Sequence, residues 1–415
     1  MTERAALVVA DDLTGACDTG HGFAARGHET VLRLAPDFET DAPVVVVDTD
    51  SRYLAPDAAA RRVRDAVAGV DADVVYKKVD STLRGNLGAE IAAALDASDS
   101  GVAAVAPAFP SNGRVTACGV HLVEGDLVAD TPAGTDPDGP VTDSSLPALL
   151  RAQGLDDVGH TGVERVARGD VALDGARVTA VDAVHDSHLA AVADAARERD
   201  ALLVGSGGLA EHVTIDAPTV ERPPLRETPT GAAFGVAGSV APETLAQLDH
   251  LPDSAVVPLA ADRAVTDPDG AVADAVSACR DRLAASSVAV LASARTRDDV
   301  EATLAAARDA GVSERAARDR VTDALGRAAR AVWDASAPDG LVLTGGAVAR
   351  AALAALDAGG LALRGEAVAP GVPGSVVRGG RADGTPLVTK AGAFGDDATL
   401  ADALDYVRRV PGAKR

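Results

Sequence analysis

Two acidic residues stand side by side where an apolar run stops. In Val8-Val9-Ala10-Asp11-Asp12-Leu13-Thr14-Gly15-Ala16-Cys17-Asp18, a candidate buried strand ends in two carboxylates, and a glycine-containing turn then opens a helix. Open α/β sheets bind ligands outside the C-terminal ends of their strands. Adjacent carboxylates at that place suit a hydroxyl substrate, a proton-accepting role or Mg2+. Helix capping by Asp12 or Thr14 needs only one such residue and does not call for the pair. A phosphatase working through Asp-x-Asp-x-Thr is excluded, because its nucleophile position is Ala10.

Three further clusters follow strands in the same half. Tyr76-Lys77-Lys78-Val79-Asp80-Ser81-Thr82-Leu83-Arg84-Gly85-Asn86 offers Lys78 and Arg84 to an anion, with Arg84 able to grip a carboxylate through two N–H groups. Asp80, Ser81 and Thr82 add acceptors and donors for hydroxyls. Pro107-Ala108-Phe109-Pro110-Ser111-Asn112-Gly113-Arg114 is a rigid loop, from which Arg114 and the later His121 could hold an anion; a lone histidine is more often structural. Gly205-Ser206-Gly207-Gly208-Leu209-Ala210 matches G-x-G-x-x-[GA], the turn of dinucleotide sites. It lies 200 residues into the chain, and Glu221 falls in a proline-rich stretch instead of at a strand end. A tight strand–helix turn explains it equally well.

The second half carries three glycine-rich segments: Ala237-Gly238-Ser239-Val240-Ala241-Pro242, Thr344-Gly345-Gly346-Ala347-Val348 and Thr389-Lys390-Ala391-Gly392-Ala393-Phe394-Gly395. Each can present backbone N–H groups to phosphate. None of the four lysines (Lys77, Lys78, Lys390, Lys414) ends a GxxxxGK[ST] string, so an ATP site here is not a Walker A loop.

The elements that must position these residues alternate. Strands are expected at Leu7–Ala10, Val44–Asp48, Val74–Lys77, Val102–Pro107, Ala201–Gly205, Val288–Ala292 and Leu341–Thr344. Helices are expected at Pro56–Ala68, Gly88–Ala97, Leu189–Glu198, Asp298–Ala310, Ser313–Ala335 and Ala347–Ala358, with Ser313 as an N-cap. The βα alternation predicts an α/β protein with mostly parallel sheets flanked by helices. Ala217–Gly231 holds four prolines and mixed charges. It reads as a linker between a domain at 1–216 and a second at 232–415. Gly125–Ser145 reads as a functional loop or lid.

The whole chain has 415 residues and a formal net charge of -23. That argues against nucleic acid, which needs clustered Lys and Arg. Asp far outnumbers Glu and lysine is scarce, a composition resembling salt-in halophiles. At molar salt the Debye length shrinks to about 3 Å and makes such charge tolerable. No apolar run is long enough to span a membrane, and the three cysteines show no metal spacing, so the expected setting is the cytoplasm. No interface pattern stands out, so the oligomeric state stays open, with a homodimer as one option.

Together the segments resemble the four-carbon acid sugar kinase family. Its ADD-[FL]-TGA-x-D start is similar to Ala10–Asp18, its K-T-D-S-T-L-R-G-N block to Lys78–Asn86 and its PAFP-x-x-GR-x-T segment to Pro107–Thr116. The family's Dp-x-x-Pv-x-x-S-x-lp stretch is similar to Asp136–Pro147, its TGG element to Thr344–Gly346 and its K-[SA]-G-x-FG element to Lys390–Gly395. The resemblance implies a two-domain kinase with sugar acid on the N-terminal domain and ATP on the C-terminal one. It implies substrate contacts at Asp12, Arg52 and Lys78, Val79, Asp80 and Ser81. It also implies ATP contacts at Ser239, Gly345, Gly346, Ala347, Val348 and Gly392. The chain departs from the pattern at Val79, at Val240-Ala241 and at Ala347-Val348, the last two removing polar side chains from the nucleotide site.

The resulting expectation is phosphorylation of a terminal hydroxyl of a small sugar acid by ATP with Mg2+. Lys78, Arg84 or Arg52 would neutralise the carboxylate, and Asp12 or Asp80 would accept the hydroxyl proton. Lys390 and Gly395 join the phosphate-binding candidates. An NAD(P)-dependent oxidoreductase on Gly205–Ala210 and a non-catalytic sugar-acid sensor are the alternatives.

Overall fold

The computed structural model describes residues 4–411. The chain forms two compact units: residues up to Arg33 with Glu39–Val220, and Leu34–Phe38 with residues from Glu221 on.

The first unit is built on eight parallel strands in the order β2-β3-β1-β4-β11-β5-β10-β9. These are β1 (Arg4–Ala10), β2 (Thr30–Arg33), β3 (Val44–Asp48), β4 (Ala72–Lys78), β5 (Ala103–Ala106), β9 (Val158–Thr161), β10 (Val178–Val181) and β11 (Leu202–Gly205). A small antiparallel sheet, β6 (Arg114–Ala117), β7 (Val120–Val123) and β8 (Asp126–Leu127), adjoins them in sequence. Strands covered on both faces can be apolar throughout, which is why β1 reads Ala-Ala-Leu-Val-Val-Ala from Ala5 on and is fully buried over Ala6–Ala10. From β1 the chain leads to β2 and β3 on one side, while β4 leads to the other. Their outgoing connections part between β1 and β4, and a crevice forms at such a switch point.

The second unit repeats the logic in the order β13-β14-β12-β15-β18-β17-β16. Its strands are β12 (Ala233–Ala237), β13 (Val256–Pro258), β14 (Val288–Ala292), β15 (Gly340–Thr344), β16 (Gly360–Ala369), β17 (Val372–Arg378) and β18 (Pro386–Lys390). The first five in spatial order are parallel, and β17 is antiparallel to both β18 and β16. The switch point lies between β12 and β15, and the glycine segments at Gly238 and Gly345 leave those two strands.

The α/β expectation with mostly parallel sheets is met in both units. Helix Pro56–Ala68 occupies the expected span, with Pro56 in its first turn. Ser313 caps helix Glu314–Ser336 by accepting from Ala316 N–H. The β16–β17 pair was not expected from the sequence: β16 carries Arg364 and Glu366 mid-strand, and they mask the apolar period by pairing with each other at 2.9 Å.

Candidate active site

Three adjacent strand ends assemble the first site. β1 delivers Asp11 and Asp12, β3 leads to Ser51 and Arg52, and β4 ends at Lys77 and Lys78, with Ala10 paired to Asp48 and Val9 to Lys77. Arg52 is the hub. Its Nε and Nη2 grip Asp11 at 2.7 and 3.0 Å, Nη2 also reaches Asp12 at 2.7 Å, and Asp80 lies 3.9 Å away. Burial alone would raise the Asp11 carboxyl, but Arg52, Lys77 and Lys78 hold it below its ordinary value. Asp80 is likewise desolvated, and the charges of Arg52, Arg84 and Lys78 overcome this and hold it far below the carboxylate range. Arg84 donates to Asp80 from Nε at 2.7 Å and reaches Asp136 at 3.3 Å. Leu83, between them, has φ of 62°, a left-handed conformation unusual for leucine that turns Arg84 back onto Asp80.

Lys77 and Lys78 have opposite fates. Successive strand residues point to opposite faces. Lys77 is fully buried and pairs with Glu90 at 2.9 Å. Lys78 is almost as buried, at 4% exposure, but brings its ammonium over the first turn of helix Leu13–Ala25, where a Cβ on Gly15 would lie 2.6 Å from Nζ. Among the described residues, the Lys78 ammonium has no hydrogen-bond or ion-pair partner. It is therefore a buried cation whose charge is left for an incoming anion, beside the N–H groups of a helix N-terminus.

Asp12 both caps and lines the site. It accepts from Gly15 N–H at 3.1 Å and Thr14 Oγ1 at 2.7 Å, and its side chain stays 25% exposed, the most open of the carboxylates around Arg52. Capping and site reading thus describe the same residue. A cavity of about 140 Å3 opens beside Arg52, lined by Tyr53, Gly85, Asn86, Asp138 and Gln153. The Gly125–Ser145 segment enters through Asp136, which accepts from Tyr53 at 3.1 Å as well as from Arg84.

Two candidates are corrected by their surroundings. His121 is fully buried; its Nε2 lies 2.8 Å from Ser81 O and its Nδ1 2.9 Å from Thr116 Oγ1. A carbonyl only accepts, so Nε2 carries the proton and Nδ1 accepts from threonine. Burial lowers its pKa and keeps the ring neutral. His121 fixes the Ser81 turn and has no nitrogen left for substrate. Val79 points into the core, with its N–H bonded to Gly205 O. Arg114 remains available: it bonds Asn112 O and lies 3.9 Å from Glu124, yet its buried Nε has no partner among the described residues.

Two further members carry little or no sequence signal. Glu90 has no motif signal, since it is a carboxylate on a helix 13 residues after Lys77. Asp18 was visible only as the last letter of the first segment. Burial raises its pKa, against the pull of Lys78 and His21.

In the second unit the three glycine segments converge. Gly392 lies against Ser239, since a Cβ there would collide with Oγ. Gly345 has φ of 91° and a Cβ there would lie 3.2 Å from Ser239 N. Gly345 precedes helix Gly346–Ala355, whose N-terminal N–H groups begin at this junction. Ser239 Oγ accepts from Ala241 N–H at 3.2 Å. Thr344 Oγ1 is buried with no partner among the described residues. Ala347 is exposed at the helix start. Three other candidates change role. The Val348 side chain fills the space beside Gly238 and leaves only its backbone for a ligand. Gly395 has φ of 82° and packs on Thr399. Lys390 turns its ammonium into its own loop.

The Gly205–Ala210 turn is closed. Ser206 caps the short helix Gly207–Ala210, all six residues are buried, and a Cβ on Gly208 would lie 2.9 Å from Ala108 O and from Phe109. Protein already fills the space a dinucleotide pyrophosphate needs, so the oxidoreductase alternative loses its site.

Two α/β units, each with a strand switch point and one of them with three glycine turns converging beside it, define a two-domain α/β protein. Comparison with known proteins agrees. A sugar-binding N-terminal domain family matches residues 6–213, and a nucleotide-binding C-terminal domain family matches 234–400. The chain is 33% identical to the D-threonate kinase of Salmonella typhimurium, covering 97% of this chain and 98% of that one. It is 37% identical to the D-threonate kinase of Bordetella bronchiseptica, with 97% of each covered. A solved Salmonella typhimurium structure, 22% identical, superposes with a TM-score of 0.80 over 97% of this chain and 99% of its own, a likeness of fold. The chain belongs to the four-carbon acid sugar kinase family.

Proposed function

We propose that this chain is an ATP-dependent kinase that phosphorylates a terminal hydroxyl of a four-carbon-like sugar acid. The sugar acid binds in the first unit and ATP in the second. The observation that carries this reading is the unpartnered ammonium of Lys78 beside the Arg52 hub. A small anion with hydroxyl groups finds there one unpartnered cation, the neighbouring charge of Arg84, which Asp80 and Asp136 hold in place, and carboxylates to accept hydroxyl protons. Asp80 is held by Arg84 and Arg52, which suits orientation of the substrate better than proton abstraction. Asp12, more open and not so clamped, is the base. The loose transition state of phosphoryl transfer asks little of a base, so positioning and charge neutralisation carry most of the rate.

The ATP phosphates would meet N–H groups at Gly345–Val348 and Gly392 and the Ser239 hydroxyl. Among the described residues no group of three or more His, Cys, Asp or Glu side chains is arranged around a metal. That fits Mg2+ arriving on the nucleotide, since Mg2+ is usually held by phosphates, water and one or two carboxylates. The ion would supply neutralisation of phosphate charge. No helix among the described residues is long and apolar enough to cross a membrane, and we place the enzyme in a salt-rich cytoplasm.

The test is ADP release from Mg-ATP in molar KCl with a panel of four-carbon sugar acids. Saturable, acid-dependent ADP formation is expected. Binding of a sugar acid without ADP formation would return the sensor reading.

A further inference from the structure

Lys390 ends β18 and is 1% exposed. Its ammonium donates to the carbonyl oxygens of Ala391 at 3.0 Å, Gly392 at 3.0 Å and Phe394 at 3.2 Å, and to the hydroxyl of Thr244 at 3.3 Å. An ammonium has three N–H groups, so four oxygens crowd one cation. Convergence of main-chain carbonyls on a point is how proteins hold a bare monovalent cation. Neighbouring side chains reinforce the arrangement: Thr244 Oγ1 donates to Gly392 O at 2.8 Å, and the Gln247 amide donates to Phe394 O at 3.0 Å and Asp396 O at 2.8 Å. Carbonyls gathered inward leave N–H groups on the other side of a turn. Among the described residues, the N–H groups of Gly392 and Ala393 meet no acceptor, and Gly392 is the residue that touches Ser239.

We propose that Lys390 is a positioning residue, a tethered internal cation that gathers the 391–394 carbonyls and thereby presents the N–H face of this turn to the nucleotide phosphates. The inference rests on the second unit being the ATP site. A direct phosphate contact by Lys390 would require its ammonium to give up four oxygen contacts at once, three of them to carbonyls. The four-oxygen cage also predicts something a phosphate-binding lysine does not: with the side chain cut back, a free ammonium ion can occupy its place.

The experiment uses the full chain in molar NaCl and compares Lys390→Ala with Lys390→Met, the second keeping the bulk without the charge. Both should raise the KM for ATP about tenfold or more, as expected for losing charge-assisted hydrogen bonds, and leave the KM for the sugar acid within about twofold. Replacing part of the NaCl by NH4Cl at constant ionic strength should bring the ATP KM of Lys390→Ala back toward wild type. It should not help Lys390→Met, whose side chain fills the cage, nor alter wild type. An unchanged ATP KM in both variants overturns the inference. So does a fall in kcat with KM unmoved, which would put the ammonium on the transferring phosphoryl group, and so does a raised KM that ammonium does not relieve. If Lys390→Ala folds only with ammonium present, seen in thermal unfolding, that rescue supports the cage, and the Lys390→Met KM decides the nucleotide role. A wild type that shows no saturable use of ATP would instead remove the nucleotide reading itself.

Discussion

Lys77 and Glu90 form an ion pair of 2.9 Å with both side chains out of reach of water. Glu90 also accepts from Ser51 Oγ at 2.6 Å, Ser51 meets Thr49 at 2.7 Å, and Thr49 donates to Ala10 O at 2.8 Å. Lys77 in turn donates to Lys78 O. One buried network therefore joins the ends of β1, β3 and β4, the three strands that carry Asp11, Arg52 and Lys78.

Removing one partner strands the other charge in the core. Glu90→Ala should lose about 3–5 kcal/mol of stability, read by denaturant unfolding. Lys77→Met combined with Glu90→Leu should recover more than half of that loss, since an apolar pair leaves no charge buried. A Glu90→Ala protein as stable as wild type would mean that the network is not closed in solution.

Lys78→Met should do the reverse. Its ammonium is desolvated and unpartnered, so stability should stay within about 1 kcal/mol of wild type or rise. Turnover should fall about 100–1,000-fold, as for loss of one preorganised charge at a reacting centre. Wild-type kcat/KM in this variant would remove Lys78 from the site.

Arg52→Lys keeps the charge and loses the fork that grips Asp11. The kcat/KM for the sugar acid should fall about 10–100-fold through KM, with the ATP KM unmoved. Equal change in both KM values would indicate a general loosening of the fold.

His121 sets a pH window for stability. Burial lowers its folded-state pKa below the ordinary value near 6.5. Above about pH 6.5 the ring is neutral in both states and contributes no pH dependence. As pH falls through 6.5 the unfolded chain takes up the proton first, and stability is lost until the folded pKa is passed. His121→Asn should flatten the decline of unfolding free energy below about pH 6.5. An unchanged slope would mean that the ring protonates in place.

Salt should stabilise this chain. With a net charge of -23, self-repulsion is screened as the Debye length falls. The unfolding midpoint should climb as KCl rises from about 0.1 to 1 M, the range over which the Debye length falls from about 10 Å to about 3 Å. A plateau below 1 M would make the acidic composition a matter of codon usage alone.

Much of this was legible along the chain. Apolar runs and βα alternation located strands such as Val44–Asp48 and helices such as Pro56–Ala68, because burial and helical period are local properties. Acidic and basic residues at strand ends marked Asp12, Lys78, Asp80 and Arg84, because parallel sheets place their crevices there. The sequence could not show which strands are neighbours. Spatial order brings β3 beside β1 and so puts Arg52 on Asp11, 41 residues away. It could not separate Lys77 from Lys78, which only the alternation of a strand between two faces distinguishes. Nor could it reveal that His121, Val79 and Lys390 face inward. The sequence by itself determined which chemical groups stand at the strand ends, since composition and period are written residue by residue. The tertiary structure alone decided which of them keep an unpaired charge for a ligand, because pairing depends on distances between segments remote in the chain.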